Sequence, residues 1–133
     1  MTVRTRGSTG ESLGRLTRWA PRDLGTELWW ASLGHELDEL GEELARTDIA
    51  GLVAQITTDA PHFAAAARRL PLIDEQVRRE VSTLGRVVAD RSGADAAREV
   101  SGAVEVLLRR VRTLYRLSND LMLDAYERDI GGD

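Results

Sequence analysis

The chain has no cysteine and no lysine, and only 5% of its 133 residues are aromatic. The absence of cysteine excludes disulfide bonds, thiolate metal sites and thiol chemistry. All 18 basic residues are arginine, which we interpret as a bias towards GC-rich codons that is typical of some bacteria. No apolar run approaches the roughly 20 residues that a membrane-spanning helix needs. The sequence therefore predicts a cytoplasmic protein with no membrane partner.

Charge is unevenly distributed between the first 22 residues and the rest of the chain. Residues 1–22 carry five arginines and one glutamate, a net charge of +4; the whole chain carries −4, which leaves −8 on residues 23–133. An acidic body argues against a nucleic-acid partner. We predict that residues 1–22 form a basic, flexible and partly disordered N-terminal tail, and that residues 23–133 form one folded domain.

Apolar residues recur at helical spacing in four segments, and none of the segments alternates as a strand would. In the first segment, which we expect to begin near a cap at Asp23 and to end at Arg46, five residues lie on one face: Trp30, Leu33, Leu37, Leu40 and Leu44. Similar stripes run through residues 49–70, 73–88 and 100–126. Four amphipathic helices with short connections predict an all-α protein, an antiparallel four-helix bundle.

The second of these segments contains Pro61, which could divide it. The apolar stripe keeps the same phase on both sides of this proline, with Ile56 before it and Phe63 and Ala67 after it. Pro61 itself falls on the opposite, outward face. We therefore expect one helix with a kink at Pro61 rather than two helices.

Three stretches of the sequence resemble a known family. They are similar to segments of the hemerythrin-like, cation-binding helical bundles. In chain order they read "DAPHFAAAARRL", "DEQVRREV" and "LMLDAYERDIGGD". The resemblance extends over roughly residues 24–133. It implies a four-helix bundle that holds two irons inside, with histidine and carboxylate ligands from all four helices. Imidazole and carboxylate ligands suit iron, and open coordination positions admit dioxygen.

This chain departs from the family pattern at the positions that the resemblance assigns to metal ligands. The second helix has Ala60 and Ala64 there, the third has Asp74, and the fourth has Leu114 and Asn119. Alanine and leucine cannot bind a metal, and asparagine lacks the charge of a carboxylate. The resemblance therefore implies a bundle whose metal site has been replaced by apolar packing, with no metal and no other cofactor.

The two histidines and one glutamate are the remaining candidates for chemistry. By helical phase, His35 and His62 point away from the apolar stripes. "SLGHELDEL" around His35 also resembles the phosphoacceptor box of histidine kinases, but Asp38 and Glu39 would repel a phosphoryl group. Glu80 lies on the third stripe, where we expect an ion pair with an arginine of "LLRRVRTLYR".

The first helix is apolar nearly all round in its N-terminal half. Two adjacent tryptophans cannot both point fully inward on one helix, so we expect part of this face to need a cover. The face consists of five interface candidates: Leu24, Leu28, Trp29, Trp30 and Ala31. Three covers are possible: the N-terminal tail with Leu13, Leu16 and Trp19, a second copy of the chain, or another protein.

These features predict a non-catalytic bundle that acts through protein–protein interaction or self-association. Two alternatives stay open. One is a metal-dependent, di-iron oxygen-binding or redox-sensing protein of the hemerythrin-like kind. The other is histidine phosphotransfer through His35.

Overall fold

Helix dominates the part of the chain that the structure describes. The computed structural model describes the backbone of residues 13–19, 22–90 and 94–131, and the side chains of the same residues except 94 and 126–131. Of these residues 87% are helical, and none forms a strand. The chain is therefore all-α, as its periodicity predicts.

Four helices of at least eleven residues correspond to the four amphipathic segments of the sequence. Their bounds are Glu27–Arg46 for α1, Ile49–Asp59 for α2, Leu70–Ala89 for α4 and Ala94–Gly131 for α5, with the short helix α3 at Ala64–Ala67. A helical turn also spans residues 13–16. Within the described residues, none of the helices combines the length and the apolar character that crossing a membrane requires.

The first helix begins three residues later than the sequence predicts. Thr26, and not Asp23, is its N-cap: the Thr26 hydroxyl accepts a hydrogen bond from the backbone N–H of Trp29 at 3.3 Å. This pairing satisfies one of the N–H groups that every helix leaves free at its start. Gly25 precedes the cap with a φ of 83°, a left-handed conformation that a residue with a Cβ rarely adopts.

The second helix is broken at Pro61, so the prediction of one kinked helix is wrong. α2 ends at Asp59, Ala60 has φ −141° and ψ 72°, and residues Pro61–Phe63 form a single 3-10 turn that leads into α3. The proline ring disfavours the α-helical conformation of the residue before it, and Ala60 therefore leaves the helix. The apolar face continues after the turn, because Ala67 is buried and Phe63 is partly buried against the core.

Apolar side chains of all the long helices form one core. It contains most of the predicted stripe residues, among them Leu33, Leu44, Val77 and Leu107, whereas Val87 is partly exposed. α1 packs against α4: a Cβ added at Gly34 would make an ordinary van der Waals contact of 3.4 Å with Cγ1 of Val88, and one added at Gly41 would lie 3.9 Å from Cγ1 of Val81. The two helices are therefore neighbours along this length of α1.

Candidate functional site

The two adjacent tryptophans on α1 are both buried. Trp29 is 0% exposed and Trp30 is 2% exposed. Their ring centroids are 4.9 Å apart with an interplanar angle of 79°, an edge-to-face arrangement that aromatic rings prefer. Burial of both rings agrees with the expectation that part of this face of α1 needs a cover, because helical phase alone does not show what lies outside the helix.

Residues 13–19 cover the face of α1 on which Trp29 lies. Leu13 is 0% exposed, Leu16 is 4% exposed, and both belong to the core with Trp19 packed against it. The indole N–H of Trp29 donates a hydrogen bond to the carbonyl of Leu16 at 3.0 Å. Residues 13–19 of the predicted flexible tail are thus part of the packed structure, which agrees with the first of the three covers considered from the sequence.

Two of the five interface candidates stay at the surface. Leu28 is 69% exposed and Ala31 is exposed, while Leu24 is partly buried against the core. Leu28 and Ala31 are three residues apart and so lie on the same side of α1. We call this pair the exposed α1 patch. It is the part of the predicted interface that the rest of the described chain leaves uncovered.

Three of the positions that the resemblance assigns to metal ligands, those occupied by alanine or leucine, are part of the apolar packing. Leu114 is fully buried and Ala60 is 3% exposed, and Ala64 is partly buried. Side chains of this kind have no atom that can coordinate a cation. The closing segment of the resemblance reaches beyond residue 125, where the side chains lie outside the described residues.

The only carboxylate at these positions is engaged by an arginine. Nε of Arg78 lies 3.0 Å and 2.9 Å from the two carboxylate oxygens of Asp74, whose side chain is 16% exposed. Arg78 and Asp74 are four residues apart on α4, a spacing at which helical side chains meet. Asn119 is partly buried, and its Oδ1 has no hydrogen-bond partner among the described residues.

The Asp74–Arg78 pair belongs to a polar group at the end of α1, which sequence analysis missed. Nη2 of Arg78 also donates to the backbone carbonyls of Leu44 and of Thr47, the C-cap that follows α1. The Leu44 carbonyl accepts the backbone N–H of Thr47 as well, so it has two donors. Thr47 and the Tyr115 hydroxyl are 3.4 Å apart, and Glu43 lies nearby on α1. We call these residues the α1 C-terminal polar cluster: Glu43, Thr47, Asp74, Arg78 and Tyr115. Only the Asp74–Arg78 spacing could have been noticed in the sequence.

Burial changes the acidity of the phenol in this cluster. Desolvation raises the pKa of Tyr115 above its ordinary value of 10.0, and the negative charges of Glu43 and Asp74 raise it further. The hydrogen bond with Thr47 and the charge of Arg78 act in the opposite direction but are outweighed. The phenol therefore stays protonated and neutral at physiological pH, and it joins α5 to the end of α1.

The histidines and Glu80 lie where the sequence predicts. His35 and His62 are both exposed, and Nε2 of His35 lies 4.0 Å from Oε1 of Glu39. Glu80 forms an ion pair with Arg110, which confirms the expected partner in "LLRRVRTLYR" and joins α4 to α5. In the part of the chain that the structure describes, no three histidine, aspartate or glutamate side chains are grouped so that they could hold a metal ion.

Comparisons with known proteins found no match: no protein-family model, no curated protein and no solved structure matches the chain. The hemerythrin-like resemblance thus stays a prediction that rests on the sequence segments quoted above. Function has to be argued from the geometry of the chain itself.

Proposed function

We propose that the chain is a non-catalytic, cytoplasmic helical bundle that acts by binding another copy of itself or a protein partner. The observation that carries the proposal is the exposed α1 patch. It continues an apolar face whose other side already binds an apolar segment, residues 13–19. A leucine that is 69% exposed beside a fully buried tryptophan offers a second polypeptide the same type of surface.

An antiparallel four-helix bundle is the arrangement that we propose for the long helices. The order of neighbours supports antiparallel packing of α1 against α4: Gly34 of α1 lies near Val88 of α4, and Leu44 of α1 lies near Arg78 of α4. As the chain advances along α1, its neighbours on α4 move back towards the start of that helix.

The hemerythrin-like ancestry is also a proposal, with the metal site replaced. Two observations support the replacement of the metal site. Ala60 and Leu114, at positions that the resemblance assigns to ligands, are packed as apolar residues, and Asp74, at a third such position, is paired with Arg78. An unmetallated set of buried carboxylates would repel one another, and their replacement by alanine and leucine removes that cost. Such a bundle would fold without metal.

We expect purified protein to contain no stoichiometric iron, manganese or zinc. Elemental analysis measures this directly, and a chelator should leave the melting temperature unchanged because no metal contributes to stability. One or two equivalents of tightly bound metal, lost together with stability in Asp74→Ala or Asn119→Ala, would contradict the proposal. That result would favour the di-iron oxygen-binding or redox-sensing alternative.

Phosphotransfer through His35 has one observation in its favour, the accessibility of its ring. The side chain is 70% exposed, as a phosphoacceptor must be. The same ring faces Glu39, and Asp38 follows close by, so a phosphoryl group would be placed beside two negative charges. We therefore rank phosphotransfer below binding.

The exposed α1 patch predicts a specific effect on association. If a second copy binds there, Leu28→Glu should weaken self-association by at least about tenfold, because each copy loses a buried leucine and gains a charge at an apolar contact. Sedimentation equilibrium over a range of concentrations measures the constant. Leu72→Glu is the matched control, since Leu72 on α4 is also 69% exposed.

The control separates the patch from a general effect of added charge. We expect Leu72→Glu to associate like the unaltered protein. If both variants behave alike, the exposed α1 patch is ordinary surface and the proposal fails. If the unaltered chain is a monomer at every concentration, self-association is excluded and only a different protein could occupy the patch.

A further inference from the structure

An open pocket of about 250 Å³ lies between the N-terminal segment and α5. One side is lined by Gly14 and Arg18 of the N-terminal segment. The other side is lined by Leu108, Arg109 and Arg112 of α5. Nothing in the sequence marked this pocket, because its two sides are about 90 residues apart in the chain. It is separate from the exposed α1 patch and from the α1 C-terminal polar cluster.

The arrangement of the pocket follows from the docking of residues 13–19. One wall of the pocket is a single face of α5. Its four residues have the i, i+3, i+4, i+7 spacing of one helix face: Glu105, Leu108, Arg109 and Arg112. Leu108 is nearly buried and forms an apolar wall. Nε of Arg18 donates to the carbonyl of Gly14 at 3.2 Å, which restrains the guanidinium at the opposite wall.

The pocket is positively charged on a protein whose net charge is −4. Three guanidinium groups and one carboxylate line it, a net of +2. Within the described residues, Arg18, Arg109 and Arg112 take part in none of the ion pairs, whereas Arg78, Arg79 and Arg110 each have a carboxylate partner. Three unpaired cations that face one concavity attract an anion, since little else compensates their repulsion.

The geometry points to a small ligand that carries a phosphoryl group. Guanidinium groups bind phosphate through paired, charge-assisted hydrogen bonds, and a phosphate monoester carries nearly two negative charges at pH 7, which matches the net charge of the pocket. A volume of about 250 Å³ is below the range of drug-sized sites, so the ligand is small. Leu108 packs against its apolar part, and Glu105 accepts a hydrogen bond from a hydroxyl group.

Titration of the protein with inorganic phosphate at low ionic strength tests the site. Calorimetry should show saturable binding to one site with half-saturation below about 1 mM. Arg109→Gln and Arg112→Gln should each weaken binding roughly tenfold or more, because each removes a charge-assisted contact. Both side chains are exposed to solvent, so their replacement should not disturb the core, and circular dichroism should show an unchanged fold.

Arg86→Gln on α4 is the control, since Arg86 is exposed, lies outside the pocket and loses the same charge. We expect phosphate to bind this variant as it binds the unaltered protein. Equal weakening by all three substitutions would show a diffuse effect of net charge and overturn the proposal. So would the absence of saturable binding below about 10 mM phosphate, a range in which even a single weak site fills.

Discussion

Replacement of Leu13 by alanine should lower the free energy of unfolding by about 3 kcal/mol. Leu13 is 0% exposed and lies in the core, although it precedes α1 by fourteen residues. The substitution removes buried methyl groups and leaves a cavity that the surrounding helices can fill only in part. A loss of this size is a large part of the stability of an ordinary domain.

Urea denaturation, followed by tryptophan fluorescence and by circular dichroism, measures the effect. Leu72→Ala is the matched control: the same atoms are removed from a side chain that is 69% exposed, and we expect a change within about 0.5 kcal/mol. If Leu13→Ala is as stable as Leu72→Ala, residues 13–19 do not belong to the folded unit. The segment would then be the flexible tail that the charge distribution predicts.

Replacement of Arg78 by alanine should lower the free energy of unfolding by about 2 kcal/mol. The guanidinium binds both oxygens of Asp74 and two carbonyls at the end of α1, those of Leu44 and of the C-cap Thr47. Without it, a carboxylate whose side chain is 16% exposed loses its counter-charge, and the two carbonyls lose a charged donor. Chemical denaturation is again the measurement.

The neighbouring residue provides an unusually close control for Arg78. Arg79 also pairs with a carboxylate four residues earlier, Glu75, but both side chains of that pair are well exposed to solvent. Solvent screens such a pair, and Arg79→Ala should change the stability by no more than about 0.5 kcal/mol. Equal losses in the two variants would mean that Arg78 acts only as one partner of a helical ion pair. The α1 C-terminal polar cluster would then have no structural role beyond α4.

The sequence by itself determined the helical class, most of the buried faces and the outward position of the histidines. A helix repeats every 3.6 residues, so the spacing of apolar residues identifies the face that is buried. His35 and His62 lie off that face, and the sequence therefore placed them at the surface. The sequence also predicted that Glu80 pairs with an arginine of the last helix, because a carboxylate on an apolar stripe requires a nearby cation; the partner is Arg110. All of these inferences depend on interactions that are local in the chain or on a rule about burial.

The tertiary structure alone decided what covers each face. The indole of Trp29 is covered by the segment that contains Leu13 and Leu16, and nothing in the periodicity of α1 indicates that these residues dock there. The break at Ala60 was decided by backbone sterics before proline, which competed with an apolar phase that continued unchanged.

Long-range pairing explains the remaining differences. Thr47 and Tyr115 meet across 68 positions of sequence, and the walls of the arginine-lined pocket are still further apart. Periodicity reports which side of a helix is apolar, but it carries no information on which other segment lies against that side. For this reason the polar cluster and the pocket became visible only once the helices were packed.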